Sequence, residues 1–199
     1  MCSDFRSPPH AERLHPAPLR CRGSAFAILG CGVADAPERY ALAGLFGPAR
    51  REMVDHIPHC RRLGMDVVEI GPRRATVRLP YRDELIGDPA RGVVFGGVIT
   101  TLLDHAGGLA VFCSLAELKA IATLDLRIDY LRAAEPGRDL IGEAHCYKLT
   151  THVAFVRAAA WERGPDDPFA SCLGTFMIGA NTSVSPMARA LGGRPEPGA

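Results

Sequence analysis

From Glu38 to Leu63 the apolar residues Tyr40, Leu42, Leu45, Phe46, Met53, Val54, Ile57 and Leu63 recur at helical spacing. Pro48 and Pro58 interrupt the run, so the spacing predicts a broken or kinked helical segment. The period then changes. Over residues 66–80, DVVEI and ATVRL read as strands joined by Gly71-Pro72-Arg73-Arg74, a hairpin signal. A long loop, YRDELIGDPARGVV over residues 81–94, leads into Phe95–Ala110, FGGVITTLLDHAGGLA. Here Val98, Ile99, Leu102, Leu103, Ala106, Leu109 and Ala110 return to helical spacing. Their apolar faces are too wide for a surface helix, which predicts a helix buried on most sides. Strands follow. Leu124, Leu126, Ile128 and Tyr130 alternate with Asp125, Arg127, Asp129 and Leu131, the pattern of a half-buried strand. The turn Glu135-Pro136-Gly137, then Leu140–Lys148, His152–Glu162 after the tight Leu149-Thr150-Thr151, and Phe169–Ile178 complete the series.

Short connections between strands favour antiparallel pairing. One long apolar helix, about residues 96–113, has to be covered, and a curved antiparallel sheet wrapped around it is the economical α+β solution. Such a sheet has two edges and leaves part of the helix bare. Both problems are solved by self-association, so a homodimer or homotetramer is expected. Residues 1–40 are Pro- and Arg-rich without a period and read as a disordered or loosely packed extension. Within them Ser24–Ala36 is apolar like an export signal, but it begins late behind a proline-rich lead, so an upstream extension is the reading taken. The domain is expected over 41–180 and a flexible tail over 181–199.

Composition narrows the class. Hydrophobic residues make up 47% and charged residues 23%, the balance of a globular chain. A net charge of +1 gives no electrostatic reason to expect nucleic acid or an anionic membrane as partner. No apolar run reaches transmembrane length. The seven cysteines form no C-x-x-C pair and no zinc-spaced cluster with histidine, so neither metal nor cofactor is expected. Cys113 and Cys146 fall in apolar elements as small core residues, and a reduced cytoplasm is the simplest setting.

Chemistry is suggested where the central helix begins. Gly96 and Gly97 let the backbone approach another group closely, and a helix start offers free N–H groups with the positive end of the dipole. Further along stands Asp104, a carboxylate that is costly inside so apolar a helix unless partnered. Gly107 and Gly108 read as packing positions. His105 projects about 100° round the helix from Asp104 and reads as a hydrogen-bonded interface residue. Thr123 alternates with Leu124, which places its hydroxyl away from its own core face and toward an interface. His56 and His59 read as surface or packing residues of the first helical segment.

FGGVITTLLD with a glycine four residues on resembles the HGG-x6-D-x3-G segment of PaaI-like hotdog-fold thioesterases. The resemblance extends to LIGDPARGVV, TLDLRIDYLRAA, HVAFVRAAAW and GTFMIG, and covers roughly residues 50–180. It implies a hotdog fold, hydrolysis of acyl-coenzyme A thioesters at a dimer interface, and no metal. It further implies that Asp104 is the catalytic carboxylate, either as general base or by direct attack to give an anhydride. Gly96 would supply the N–H facing the thioester carbonyl, and Thr123 would help position the attacking water. Phe95 stands where the family usually has His, and Asp88 near where it often has Asn. Both, with Gly97 and His105, become candidate substrate contacts. Arg91, Arg132, Arg138, Lys148 and Arg157 are candidate partners for the coenzyme A phosphates. The alternatives are a non-catalytic acyl-CoA-binding hotdog protein and a hotdog dehydratase, the latter disfavoured by the missing motif His.

Overall fold

The computed structural model describes residues 50–179. The expected extension over 1–40, the tail over 181–199 and the helical positions Tyr40–Phe46 lie outside the described residues. The first described elements are two short helices, α1 (Arg50–Asp55) and α2 (Pro58–Leu63). The break between them falls at Pro58, which opens α2 where a missing N–H costs nothing. Gly64, at φ +71°, closes it in the left-handed conformation, with its N–H on the Arg61 carbonyl at 3.0 Å.

The expected hairpin is β1 (Asp66–Gly71) and β2 (Arg74–Leu79). Arg73 takes a positive φ of 59° at its turn, a conformation that costs a non-glycine residue about 1–2 kcal/mol. Its contacts hold it there. Its N–H reaches the Cys113 carbonyl, its carbonyl accepts from Cys146 N–H at 2.9 Å, and its Nε donates to the Cys146 carbonyl at 2.7 Å. The hairpin tip is thereby fastened to the end of the central helix and to the sheet.

The loop over 81–94 is partly ordered. It holds a short 3-10 turn, Asp83–Leu85, and a small hairpin, β3 (Ile86–Asp88) with β4 (Val93–Val94). The central helix α3 spans Gly96–Phe112. Strands β5 (Ile121–Tyr130), β6 (Leu140–Leu149), β7 (Val153–Trp161) and β8 (Ala170–Ile178) follow. The main sheet is antiparallel, in the order β1-β2-β6-β7-β8-β5, so β5 is an edge although it is among the longest strands.

This is the hotdog arrangement: one curved antiparallel sheet laid around one helix. Leu102, Leu103, Ala106, Leu109 and Ala110 of α3 are buried against Val77, Leu140, Ala144, Val156 and Phe176 of the sheet. Burying a Leu or Val side chain contributes roughly 1.5–3 kcal/mol each, so this interface is the main source of stability. Glycines set how close the two layers come. A Cβ on Gly142 would stand 2.9 Å from Leu102 Cγ, and one on Gly107 would stand 2.9 Å from Phe176 Cζ. Cys60, Cys113, Cys146 and Cys172 are free and buried, and burial pushes the Cys113 thiol up to about 12.

Candidate active site

Asp104 sits on the face of α3 that the sheet does not fully cover. Burial pushes its carboxyl above the ordinary 3.8, and the Thr123 hydroxyl partly opposes the shift by donating to Oδ1 at 2.8 Å. Among the described residues no other hydrogen bond to this carboxylate is found. The result is a half-buried acid with one oxygen held and the other open.

Thr123 reaches Asp104 because β5 does not alternate as the sequence suggests. Thr123 pairs with Phe176 and Asp125 with Thr175, leaving Leu124 unpaired as a β-bulge. The bulge turns Thr123 onto the helix side, the side of Leu126, while Leu124 is 51% exposed. Simple alternation, which put Leu124 inward and Thr123 toward an interface, is therefore corrected here. A bulge leaves no mark in a hydrophobic pattern unless a glycine announces it.

The acid lines a cleft of about 410 Å³ together with Thr123, Thr100, Thr101, His105, His59, Cys60, Ile57 and Leu126. His59 and Cys60 come from α2, and the His59 ring nitrogen Nε2 lies 3.4 Å from Thr101 Oγ1. The sequence reads His59 as a surface or packing residue, and it is exposed on α2 at the cleft. Nothing in its spacing signals that α2 closes one wall of the cleft. The Cys60 thiol is pushed up to about 11, by burial first and then by the neighbouring Asp104. It is a neutral wall residue, not a nucleophile. His105 also lies in this wall, but burial pushes its imidazole down to about 4. At neutral pH it is uncharged, its Nε2 has no partner among the described residues, and no hydrogen bond joins it to Asp104.

The start of α3 lies at the other end of the same segment. Phe95 is the N-cap residue without a side-chain cap, so the first N–H groups of the helix, those of Gly96 and Gly97, take no intrahelical partner. Eight residues separate Gly96 from Asp104, which along a helix is about 12 Å. The Gly96 carbonyl accepts from Tyr130 Oη at 3.0 Å and from Thr100 Oγ1 at 3.2 Å. The Phe95 ring is 61% exposed and lies over the helix start; a Cβ on Gly97 would stand 2.6 Å from its Cε1. A Cβ on Gly87 would likewise meet the Phe95 backbone at 2.8 Å. Glycines at 87 and 97 thus leave the space that the ring occupies.

Asp88 turns back on its own loop. It accepts from Arg91 Nε at 2.7 Å and from Ala90 N–H at 3.1 Å, and the Arg91 hydrogen bond holds its carboxyl below the usual range. Among the candidate phosphate partners, Arg91 is occupied by Asp88 and Arg138 by Glu135 at 2.7 Å. Arg132 is bidentate on the fully buried carboxylate of Glu162 and also meets Asp167. Arg157 stacks over the Tyr147 ring at 5.0 Å. Lys148 is exposed. Among the described residues no cluster of His, Cys, Asp and Glu could hold a metal ion, and no helix is long and apolar enough to cross a membrane.

Comparison with known proteins agrees with the fold. Residues 91–168 match the family model described as the thioesterase superfamily. An X-ray structure of a thioesterase-superfamily protein is 32% identical, covering 65% of this chain and 95% of that one at a TM-score of 0.59. A point mutant of the phenylacetic acid degradation protein PaaI from Thermus thermophilus is 26% identical, covering 60% and 97% at a TM-score of 0.54. In Escherichia coli K12 the medium/long-chain acyl-CoA thioesterase YigI is 33% identical over 98 residues, which is 43% of this chain. The match spans 61% of the length of that curated relative.

Proposed function

The chain belongs to the thioesterase superfamily, and from that premise we propose that it hydrolyses acyl-coenzyme A thioesters to free acid and coenzyme A. The observation that carries the reading is Asp104. A carboxylate whose basicity is raised by burial, with one oxygen fixed by Thr123, suits a general base working near neutral pH. It takes a proton from water as the oxygen adds to the thioester carbonyl. The tetrahedral oxyanion is stabilised by the Gly96 N–H at the positive end of α3. The C–S bond then breaks, the thiolate departs, and the proton held by Asp104 is available to it.

The base must hydrogen-bond the attacking water and the donor must hydrogen-bond the oxygen of the carbonyl under attack, each at about 2.6–3.2 Å, so only one water and one carbonyl group lie between them. On one chain they stand about 12 Å apart along a single helix. Asp104 of one copy therefore works with Gly96 of a second copy, and the enzyme acts as a homodimer or higher oligomer. The unpaired edge β5 supports this assembly, because a long exposed edge strand invites pairing. Free, buried cysteines fit a cytoplasmic setting. Phe95, whose ring is exposed beside the donor, is the residue we assign to contact with the acyl or thioester portion, bordered by Gly97.

The test is thiol release from a panel of acyl-CoAs, wild type beside Asp104→Asn. Asparagine keeps the size and still accepts from Thr123, so turnover should fall about 10²–10⁴-fold while binding is retained. A variant that keeps turnover would refute the base. A wild type that binds acyl-CoA and hydrolyses none would establish a binding protein instead.

A further inference from the structure

Gly96 and Gly97 pose a problem for the chemistry proposed above. An oxyanion donor works because it is fixed before the charge develops. Two consecutive glycines at a helix start are the least constrained backbone the chain can offer. Neither a side chain at the N-cap Phe95 nor an acidic side chain in the first turn caps them.

Tyr130 supplies the restraint. Its hydroxyl donates to the Gly96 carbonyl at 3.0 Å, and Thr100 Oγ1 donates to the same oxygen at 3.2 Å. The two hydroxyls lie 3.3 Å from each other, closing a three-membered cluster. The same Tyr130 oxygen would stand 3.3 Å from a Cβ at Gly96, so it also fills the space beside the glycine. We infer that Tyr130 is a positioning residue for the oxyanion site: by holding the Gly96 carbonyl it fixes the Gly96–Gly97 peptide plane, which orients the Gly97 N–H directly and anchors the residue that carries the Gly96 N–H. A carbonyl that accepts hydrogen bonds also polarises its own peptide group, which here carries the Gly97 N–H. Both effects act on the transition state more than on the bound substrate. The inference rests on the thioesterase reading.

The experiment compares wild type, Tyr130→Phe and Thr100→Val. Each is assayed for acyl-CoA turnover and melting temperature. The infrared carbonyl stretch of a bound acyl-CoA is recorded in the Asp104→Asn background. Tyr130→Phe keeps the ring and should lower kcat roughly tenfold, a fraction of the 10²–10³ that loss of a donor costs, with KM nearly unchanged. The bound carbonyl stretch should move toward its frequency in free acyl-CoA. Thr100→Val should act in the same direction, and the double variant should lose less than the product of the two singles. Wild-type kcat and carbonyl frequency in both variants overturn the positioning role and leave the thioesterase reading standing. A lowered melting temperature with unchanged kcat also overturns it, as a structural hydrogen bond only. A wild type that neither binds nor hydrolyses acyl-CoA overturns both.

Discussion

Gly107 and Gly108 are neighbours in the middle of α3, and the structure assigns them opposite tolerance for a methyl group. Replacing a helical glycine by alanine lowers the entropy of the unfolded chain, for a gain of about 0.5–1 kcal/mol at either position. At Gly108 the new Cβ meets only Ile121 Cδ1 at 3.6 Å, an ordinary contact, so the gain should be kept. At Gly107 it would stand 2.9 Å from Phe176 Cζ and 3.2 Å from Cε2. Phe176 is a rigid ring, 2% exposed, and overfilling a packed core costs about 1–3 kcal/mol. The helix term is common to both variants and cancels in their difference, which isolates the clash. Gly108→Ala should therefore be more stable than Gly107→Ala by about 1–3 kcal/mol, or roughly 2–4 °C in melting temperature for each kcal/mol. Urea denaturation at one fixed protein concentration measures it, because self-association makes midpoints concentration-dependent. Equal shifts of the same sign would refute the reasoning, showing that Phe176 moves aside without cost.

Because burial raises the Asp104 carboxyl, the folded chain binds that proton more tightly than the unfolded chain does. The carboxylate costs no stability below the unfolded value; its cost builds as pH rises from there to the folded value and is constant above it. Asp104→Asn should thus melt above wild type at pH 7, with the two curves converging near pH 3.8 in a pH series of thermal melts. The kcat of wild type should climb through the same raised pKa, read from initial rates in constant-ionic-strength buffers. Phe95→His should change acyl preference across the panel with little effect on melting, since the ring is exposed; identical kinetics for every acyl group would remove Phe95 from the site. Light scattering should find a dimer or tetramer at micromolar concentration, and a stable monomer would refute the shared site.

Much of the fold was legible because its strongest signals are periodic. The apolar run after Gly96 predicts α3 to within a residue or two, and Gly71–Arg74 predicts the first hairpin. Asp104 was legible because a lone acid in such a run demands an explanation. Thr123 was legible as a residue but not as a direction, since the bulge at Leu124 shifts the strand without any change in composition. The wall formed by His59 and Cys60 was not legible at all, because the seating of a six-residue helix is decided by tertiary packing. The arginines could be counted from sequence, yet their pairing with Asp88, Glu135 and Glu162 depends on loops whose path no pattern records.

The unpaired Leu124 also has a meaning for the length of the chain. Thr123 and Tyr130 both face α3, one on Asp104 and the other on Gly96. They are seven steps apart (130 minus 123), an odd number, and a regular strand would send them to opposite faces. The extra residue restores the parity. A chain shortened by one residue here could keep Thr123 on the acid or Tyr130 on the helix start, but not both. Loops of this fold can lengthen and shrink, whereas residues 123–130 form a gauge whose count is fixed by the two groups it spans.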